Sequence, residues 1–401
     1  MRSLMFLHGE ENVINTCTHR TGLEQARVTV QHASTTMTRR LLAVATILAL
    51  VTCPSPQVLR LLSKAAVTPH GDMPQWLESH DRRLLTGPVP VDDAVIVSID
   101  GTGDHKTIAA AIAAAPPGSA RHTIYVKKGV YKEKVDIIRS NIYLVGDGPG
   151  LTVITGNIGK ITTETPCTAT LYTQGDGFMA RDLTIENTAG PEAEQAVAFA
   201  SRSNRSALYH CHILGFQDTL LADANLQFYS QCRISATVDV VFGTATALFQ
   251  DCVLILRRSA RYNVLTAQGR DRSDDLASGF VFQGCNVTTD EDLNGIETFL
   301  GRPWRDYSRV VFLQCYMDAI VHPAGWVLWN RSSPPDHDST KHVFYGEYQN
   351  KGPGASLSQR VSWPGFHSIN DADEAQQFTA DAFIHGAEWL PQTGVPYRPG
   401  L

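Results

Sequence analysis

The stretch FYSQCRISATVDVVFGTATALFQDCVL, Phe228–Leu254, holds two copies of one short pattern, FYSQCRI (Phe228–Ile234) and LFQDCVL (Leu248–Leu254). The pattern returns as VFQGCNV (Val281–Val287) and VFLQCYM (Val311–Met317). Each copy has an aromatic residue three before the cysteine (Tyr229, Phe249, Phe282, Phe312) and an aliphatic residue or methionine two after it. LYHCHI at Cys211 is a looser copy, and FMARDLTI around Asp182 is looser still. Self-similarity at such intervals is the mark of solenoids and arrays.

The repeated segments are β-branched and aromatic, with Gly, Asn, Asp or Ser between them, and read as strands. With no helical pattern intervening, they predict an all-β fold, a right-handed parallel β-helix in which each turn stacks on the last, with a short N-terminal helical or leader segment. Cysteine and aromatic positions then form ladders, and most of these cysteines read as small core residues. A sandwich or propeller would not produce the unequal gaps between copies, which a β-helix absorbs as loops.

The same stretch carries Asp239, seven residues after Cys232, and Asp218 stands seven residues after Cys211. With the cysteines in register, the two aspartates occupy equivalent places on adjacent turns, about 4.8 Å apart in the pairing direction. Like charges at that distance cannot both ionise easily, so one pKa rises while the other stays low. A proton donor and a nucleophile or base then coexist at one pH.

Composition sets the outer bounds. The chain has 401 residues, 43% hydrophobic and 18% charged, and a formal net charge of −6, so it can bury a large core and shows no concentrated basic surface for nucleic acid. Residues 37–53 have the anatomy of a secretory signal peptide: Arg39 and Arg40, an apolar run from Leu41 to Val51, then small or polar residues. That run is too short to span a bilayer comfortably. Met37 is then the expected start, residues 1–36 an unexplained extension, and a core helix is the competing reading of the apolar run. Sequons at Asn204, Asn286 and Asn330 agree with export. Pairing among the eight cysteines cannot be read from spacing. The histidines show no paired ligand spacing, no phosphate-cradling glycine loop occurs, and no G-x-S-x-G elbow supports a serine esterase, so neither metal nor cofactor is expected.

From Val95 to the C-terminus the chain resembles the plant pectin methylesterases, or pectinesterases. The likeness is carried in collinear order by GVYKEKV (Gly129–Val135), GDGFMARDLTIENTAG (Gly175–Gly190), QAVAF (Gln195–Phe199), GFQDTL (Gly215–Leu220), VDVVFG (Val238–Gly243), TAQGR (Thr266–Arg270), LGRPW (Leu300–Trp304), PAGW (Pro323–Trp326) and YGEY (Tyr345–Tyr348). The resemblance implies a right-handed parallel β-helix over residues 91–401 and hydrolysis of galacturonate methyl esters in homogalacturonan, giving pectate and methanol. It implies Asp239 as nucleophile and Asp218 as general acid, then base. Gln217 and Gln195 fall on the amides that stabilise the tetrahedral oxyanion, and Arg302 on the arginine that orients the nucleophile. Thr165, Gln195, Arg302 and Trp304 fall on substrate-binding positions.

Leu221 stands where the family usually has tyrosine, and Pro166 and Cys167 replace an aromatic and a polar residue, so altered affinity or pattern preference is expected. Met73–Leu85 resembles the family's linker between a helical pro-region and the enzyme, with Arg82-Arg83-Leu84-Leu85 at its processing site. Residues 54–90 are therefore read as a linker with a truncated pro-region. The likeness also implies a secreted, cell-wall, monomeric protein, and a proteinaceous inhibitor as a possible partner. Two other functions stay open: a polygalacturonase-like glycosidase, since retaining enzymes hold their carboxyls about 5–5.5 Å apart, and a non-catalytic pectin-binding wall protein. The glutamines and the arginine suit an ester oxyanion better than an oxocarbenium ion.

Overall fold

The computed structural model describes residues 93–401 except 117, 119, 276 and 331–338. The expected extension (1–36), signal peptide (37–53) and linker with Arg82 and Arg83 (54–90) lie outside the described residues.

All strand pairing is parallel, in three sheets of 11, 8 and 7 strands. The chain visits them in rotation, and one coil runs Leu226–Ser230, Arg233–Ala236, Val238–Gly243 before Thr246–Gln250 begins the next. This is the right-handed parallel β-helix expected from the repeats, with the hand that parallel crossovers overwhelmingly take.

The repeat pattern has a local cause in the turn from the first sheet to the second. His210, Gln231, Asp251, Gly284 and Gln314 each stand immediately before a ladder cysteine, and each has a left-handed φ between 49° and 64°. One such residue redirects the chain without breaking the hydrogen-bond ladder: the Gln231 N–H donates to Gln250 O at 3.0 Å and the Asp251 N–H to Gln283 O at 3.0 Å. Glycine accepts this conformation freely, and the other residues pay for it locally.

Inside the turn the five cysteines are buried free thiols. Cys252 Sγ, for example, donates to Tyr229 O at 3.4 Å. Beside them Tyr229, Phe249, Phe282 and Phe312 stack in order, with centroids 4.5, 4.6 and 4.7 Å apart and nearly parallel planes. Strand spacing imposes that geometry, because residues in register on parallel strands repeat at the ring-stacking distance.

Both ends of the core are closed. Helix α1 (Ile108–Ala114) buries Ile108, Ala111 and Ile112 at the N-terminal end. Its Ile108 and Ala109 N–H groups donate to the Glu133 carboxylate at 3.0 and 3.1 Å, placing negative charge at the helix N-terminus. At the other end the aromatic ladder stops at Glu347, which lies opposite Phe312. Glu347 meets Arg360 at 2.8 and 3.1 Å, both side chains 1% exposed. Three one-turn helices, α2 (Ala372–Gln376), α3 (Ala380–Phe383) and α4 (Gly386–Trp389), help cover the outer face of the first sheet, where Phe378, Phe383 and Trp389 join Phe228, Leu248, Val281 and Val311 in one apolar cluster. Segments this short show no helical period, and the sequence reading contained no helices there.

Candidate active site

The third sheet brings the two aspartates together. Leu220 pairs with Val241 and Leu221 with Phe242, so Asp218 and Asp239 fall at matching positions on adjacent coils. The Asp218 N–H donates to Val238 O at 3.0 Å. Both residues have left-handed backbones, φ 61° and 50°, and both are buried, 8% and 4% exposed. Against the next coil, Val238 pairs with Val264 but Val241 with Thr266, so three steps on one strand meet two on the other. The extra residue is a β-bulge at Asp239–Val240, a device that re-aims a side chain.

Arg302 approaches from the loop after Glu297–Phe299. Its N–H donates to Thr266 O at 2.9 Å, and a Cβ on the preceding Gly301 would lie 2.2 Å from Thr266 Oγ1, so only glycine allows this close approach. The guanidinium forks onto Asp239, Nε to Oδ1 at 2.9 Å and Nη2 to Oδ2 at 2.5 Å. Its third nitrogen donates to the Tyr262 hydroxyl at 3.1 Å, and its carbon sits 4.1 Å from the centre of the Trp329 ring. A bidentate, partly desolvated pair of this kind holds the carboxylate in a fixed plane.

Burial, and then the charge of Asp239, push the Asp218 carboxyl well above the usual carboxylate range. Burial also raises Asp239, but the Arg302 fork opposes it, so Asp239 is the member of the pair that ionises first. When the pair carries a single proton, that proton therefore rests on Asp218.

Gln195 and Gln217 bridge across neighbouring coils, and the Ala196 N–H donates to Gln217 O at 3.1 Å. Gln217 precedes Asp218 directly, which puts an amide beside the acid. Gln195 Oε1 and Asp218 Oδ1 are both buried and have no hydrogen-bond partner among the described residues. Polar atoms left this way are available to a bound molecule or to water.

Trp304 packs at 6.3 Å, edge to face, on Phe242 and joins an apolar cluster of Ala169, Tyr172, Val197, Ala200, Leu221 and Ala267. Leu221, at the family's usual tyrosine position, is thus a buried member of that cluster, 3% exposed. A second small cluster, Val238, Tyr262, Val264, Phe299 and Val327, includes the residue immediately before Asp239. Thr165 opens the 3-10 turn Thr165–Thr168 and accepts Thr168 Oγ1 on its carbonyl at 2.7 Å. The structure brings Asp218, Asp239, Arg302, Gln217 and Gln195 together, and Thr165 makes no hydrogen bond to either carboxylate. Tyr262 and Trp329 escaped the sequence reading. Trp329 is 42% exposed, three residues beyond the buried Trp326.

The sequence profile described as Pectinesterase matches residues 94–387. The pectinesterase/pectinesterase inhibitor PPE8B of Prunus persica is 43% identical over 340 residues, 82% of this chain and 64% of its own length. The probable pectinesterase/pectinesterase inhibitor 32 of Arabidopsis thaliana is 44% identical over 87% of this chain and 67% of its own length. The chain thus spans about two thirds of the length of these relatives, 64% and 67%. Among solved structures, the pectin methylesterase from carrot superposes with a TM-score of 0.73 at 42% identity, covering 77% of this chain and 98% of that one. The Aspergillus niger enzyme in deglycosylated form gives a TM-score of 0.64 at 27% identity over 74% and 95%.

Proposed function

The chain belongs to the pectinesterase family, and we propose from that premise that it hydrolyses the methyl esters of galacturonate units in pectin, giving pectate and methanol. The observation that carries the reading is the asymmetric acid pair: Asp239 in the Arg302 fork, and beside it Asp218, which burial and its neighbour's charge keep protonated.

In the proposed reaction an Asp239 oxygen attacks the ester carbonyl carbon. The resulting tetrahedral oxyanion takes hydrogen bonds from the Gln217 and Gln195 amides, donors that do not titrate. As the C–O bond to the methoxy group breaks, Asp218 gives that oxygen its proton and methanol leaves. The acyl group remains on Asp239 as an anhydride, and Asp218, now ionised, takes a proton from water as its oxygen attacks the acyl carbon. Collapse frees the galacturonate acid, restores the Asp239 carboxylate and leaves Asp218 protonated. Arg302 stays charged throughout and holds Asp239 in plane; Trp304 offers an apolar face to a sugar ring, and Thr165 a contact further out.

Secretion to the cell wall, glycosylation, action as a monomer and cleavage after Arg82-Arg83-Leu84-Leu85 belong to the same proposal. Asn330 is exposed, whereas Asn204 and Asn286 are half-buried, Asn286 in a paired strand. The inhibitor named in both plant relatives supports a proteinaceous inhibitor as partner. Incubation with highly methylated pectin decides the reaction. Methanol and titratable acid without new reducing ends support it; reducing ends without methanol favour the glycosidase, and binding without either product favours the wall protein. N-terminal sequencing of the extracellular protein tests the processing site.

A further inference from the structure

We infer that Arg257 is a positioning residue for the acid half of this site, fixing the segment Gly215–Asp218 from two coils away; the inference rests on the pectinesterase reading above. Arg257 follows the strand Val253–Leu256, and its backbone N–H donates to Ala236 O on the adjacent coil at 2.7 Å. Its side chain reaches one coil further: Nη1 donates to Gly215 O at 2.9 Å, and the guanidinium carbon lies 3.9 Å from the centre of the Phe216 ring. Glu291, 3.6 Å from Nε and 41% exposed, is a solvent-screened partner, so the hydrogen bond to Gly215 is the shortest contact of the guanidinium.

The clamp is completed from the other side. The Phe216 carbonyl accepts from the Thr237 N–H at 3.0 Å and from Thr219 Oγ1 at 3.2 Å, and the Gly215 N–H donates to Ser235 O at 3.0 Å. Every polar backbone atom of Gly215 and the Phe216 carbonyl are therefore engaged just before Gln217 and Asp218. Asp218 then enters a left-handed conformation, φ 61°, which neighbours must impose. Among the described residues its Oδ1 has no hydrogen-bond partner, and the side chain that does hydrogen-bond the carboxyl is Gln217, its neighbour in this same segment, so the path of Gly215–Gln217 sets the carboxyl's direction. A planar guanidinium can hydrogen-bond a carbonyl in its plane while its face covers a ring, and an ammonium cannot do both as well.

The test uses the full chain with Arg257→Met, Arg257→Lys and Asp218→Asn. Expected for Arg257→Met is a loss of about 10- to 100-fold in kcat per folded molecule, the cost of misplacing a reacting group by about 1 Å. KM should stay within about two-fold and the alkaline limb of the pH–rate profile should move; Arg257→Lys should recover part of kcat. Carbon-13 labelling of the aspartate carboxyls, with Asp218→Asn assigning the resonance, should show the Asp218 titration displaced in Arg257→Met. A kcat within two-fold of wild type together with an unmoved titration overturns the inference, and if the methionine variant does not fold the lysine variant is read the same way. Absence of methanol release by the wild-type chain would sink the esterase reading instead, and the Asp218 titration would still decide whether Arg257 positions it.

Discussion

Replacing Arg302 by methionine isolates what the fork contributes. The side chains of Arg302 and Asp239 are only 11% and 6% exposed, so solvent screens their interaction little. Removing one partner of a buried ion pair costs about 3–5 kcal/mol because the other charge is left uncompensated. Asp239 can avoid most of that cost by taking up a proton, since burial already favours its neutral form and Asp218 lies beside it. The penalty then appears in catalysis, because a larger share of the proposed nucleophile is protonated and neutral. At about 1.4 kcal/mol per decade, 3–5 kcal/mol corresponds to a fall in rate of between about two and three and a half orders of magnitude. The acid limb of the pH–rate profile moves upward, and folding stability changes much less than activity. Arg302→Lys keeps the charge but not the fork and should recover about one decade. The assay is the initial rate of methanol release from highly methylated pectin as a function of pH. Arg302→Met retaining more than a tenth of wild-type kcat with an unshifted acid limb would refute the reasoning.

Asp218→Asn should abolish turnover by about 10²–10⁴-fold yet stabilise the fold at higher pH. The folded-state pKa of Asp218 is raised above its ordinary 3.8, so wild-type stability falls as pH rises above that value until Asp218 itself ionises. Melting temperatures across pH should show the variant's advantage opening over that window, and parallel curves would contradict the assigned direction. Phe249→Ala removes the ring stacked between Tyr229 and Phe282 and should cost about 3–5 kcal/mol in denaturant unfolding, with kcat per folded molecule little changed. Glu347→Gln should destabilise by about 3–5 kcal/mol because Arg360 is left buried without a counter-charge, while Glu347→Gln with Arg360→Met should recover much of the loss. A double variant no more stable than the single one would show that packing, not charge, governs this end of the core.

The legible part of the fold was the part that repeats. Cysteine and aromatic positions recur because in-register parallel strands place like beside like, and the same step carries Asp218 onto Asp239. The one-turn helices α2–α4 were missed because their length gives no period, and helix α1 because its seven residues carry no regular polar face. Arg302 came into view only through the family resemblance, since nothing local marks an arginine 63 residues beyond Asp239 as its partner. Tyr262, Trp329 and Arg257 had no signal at all. Their roles depend on which loops return to the third sheet, and Arg257 acts across two coils.

By itself, the sequence determined the period: a stack of short parallel strands, a buried column of thiols and rings, and two acids carried on adjacent coils. That much follows because register in a parallel solenoid is a translation, so equal spacing along the chain becomes adjacency in space. Tertiary structure supplied the reason Asp239 ionises first, since burial and the Arg302 fork come from segments brought together by loops. It also decided the bulge at Asp239, the orphaned oxygens of Asp218 and Gln195, and the Arg257 clamp. Each depends on distances between distant parts of the chain, and no spacing along the sequence encodes them.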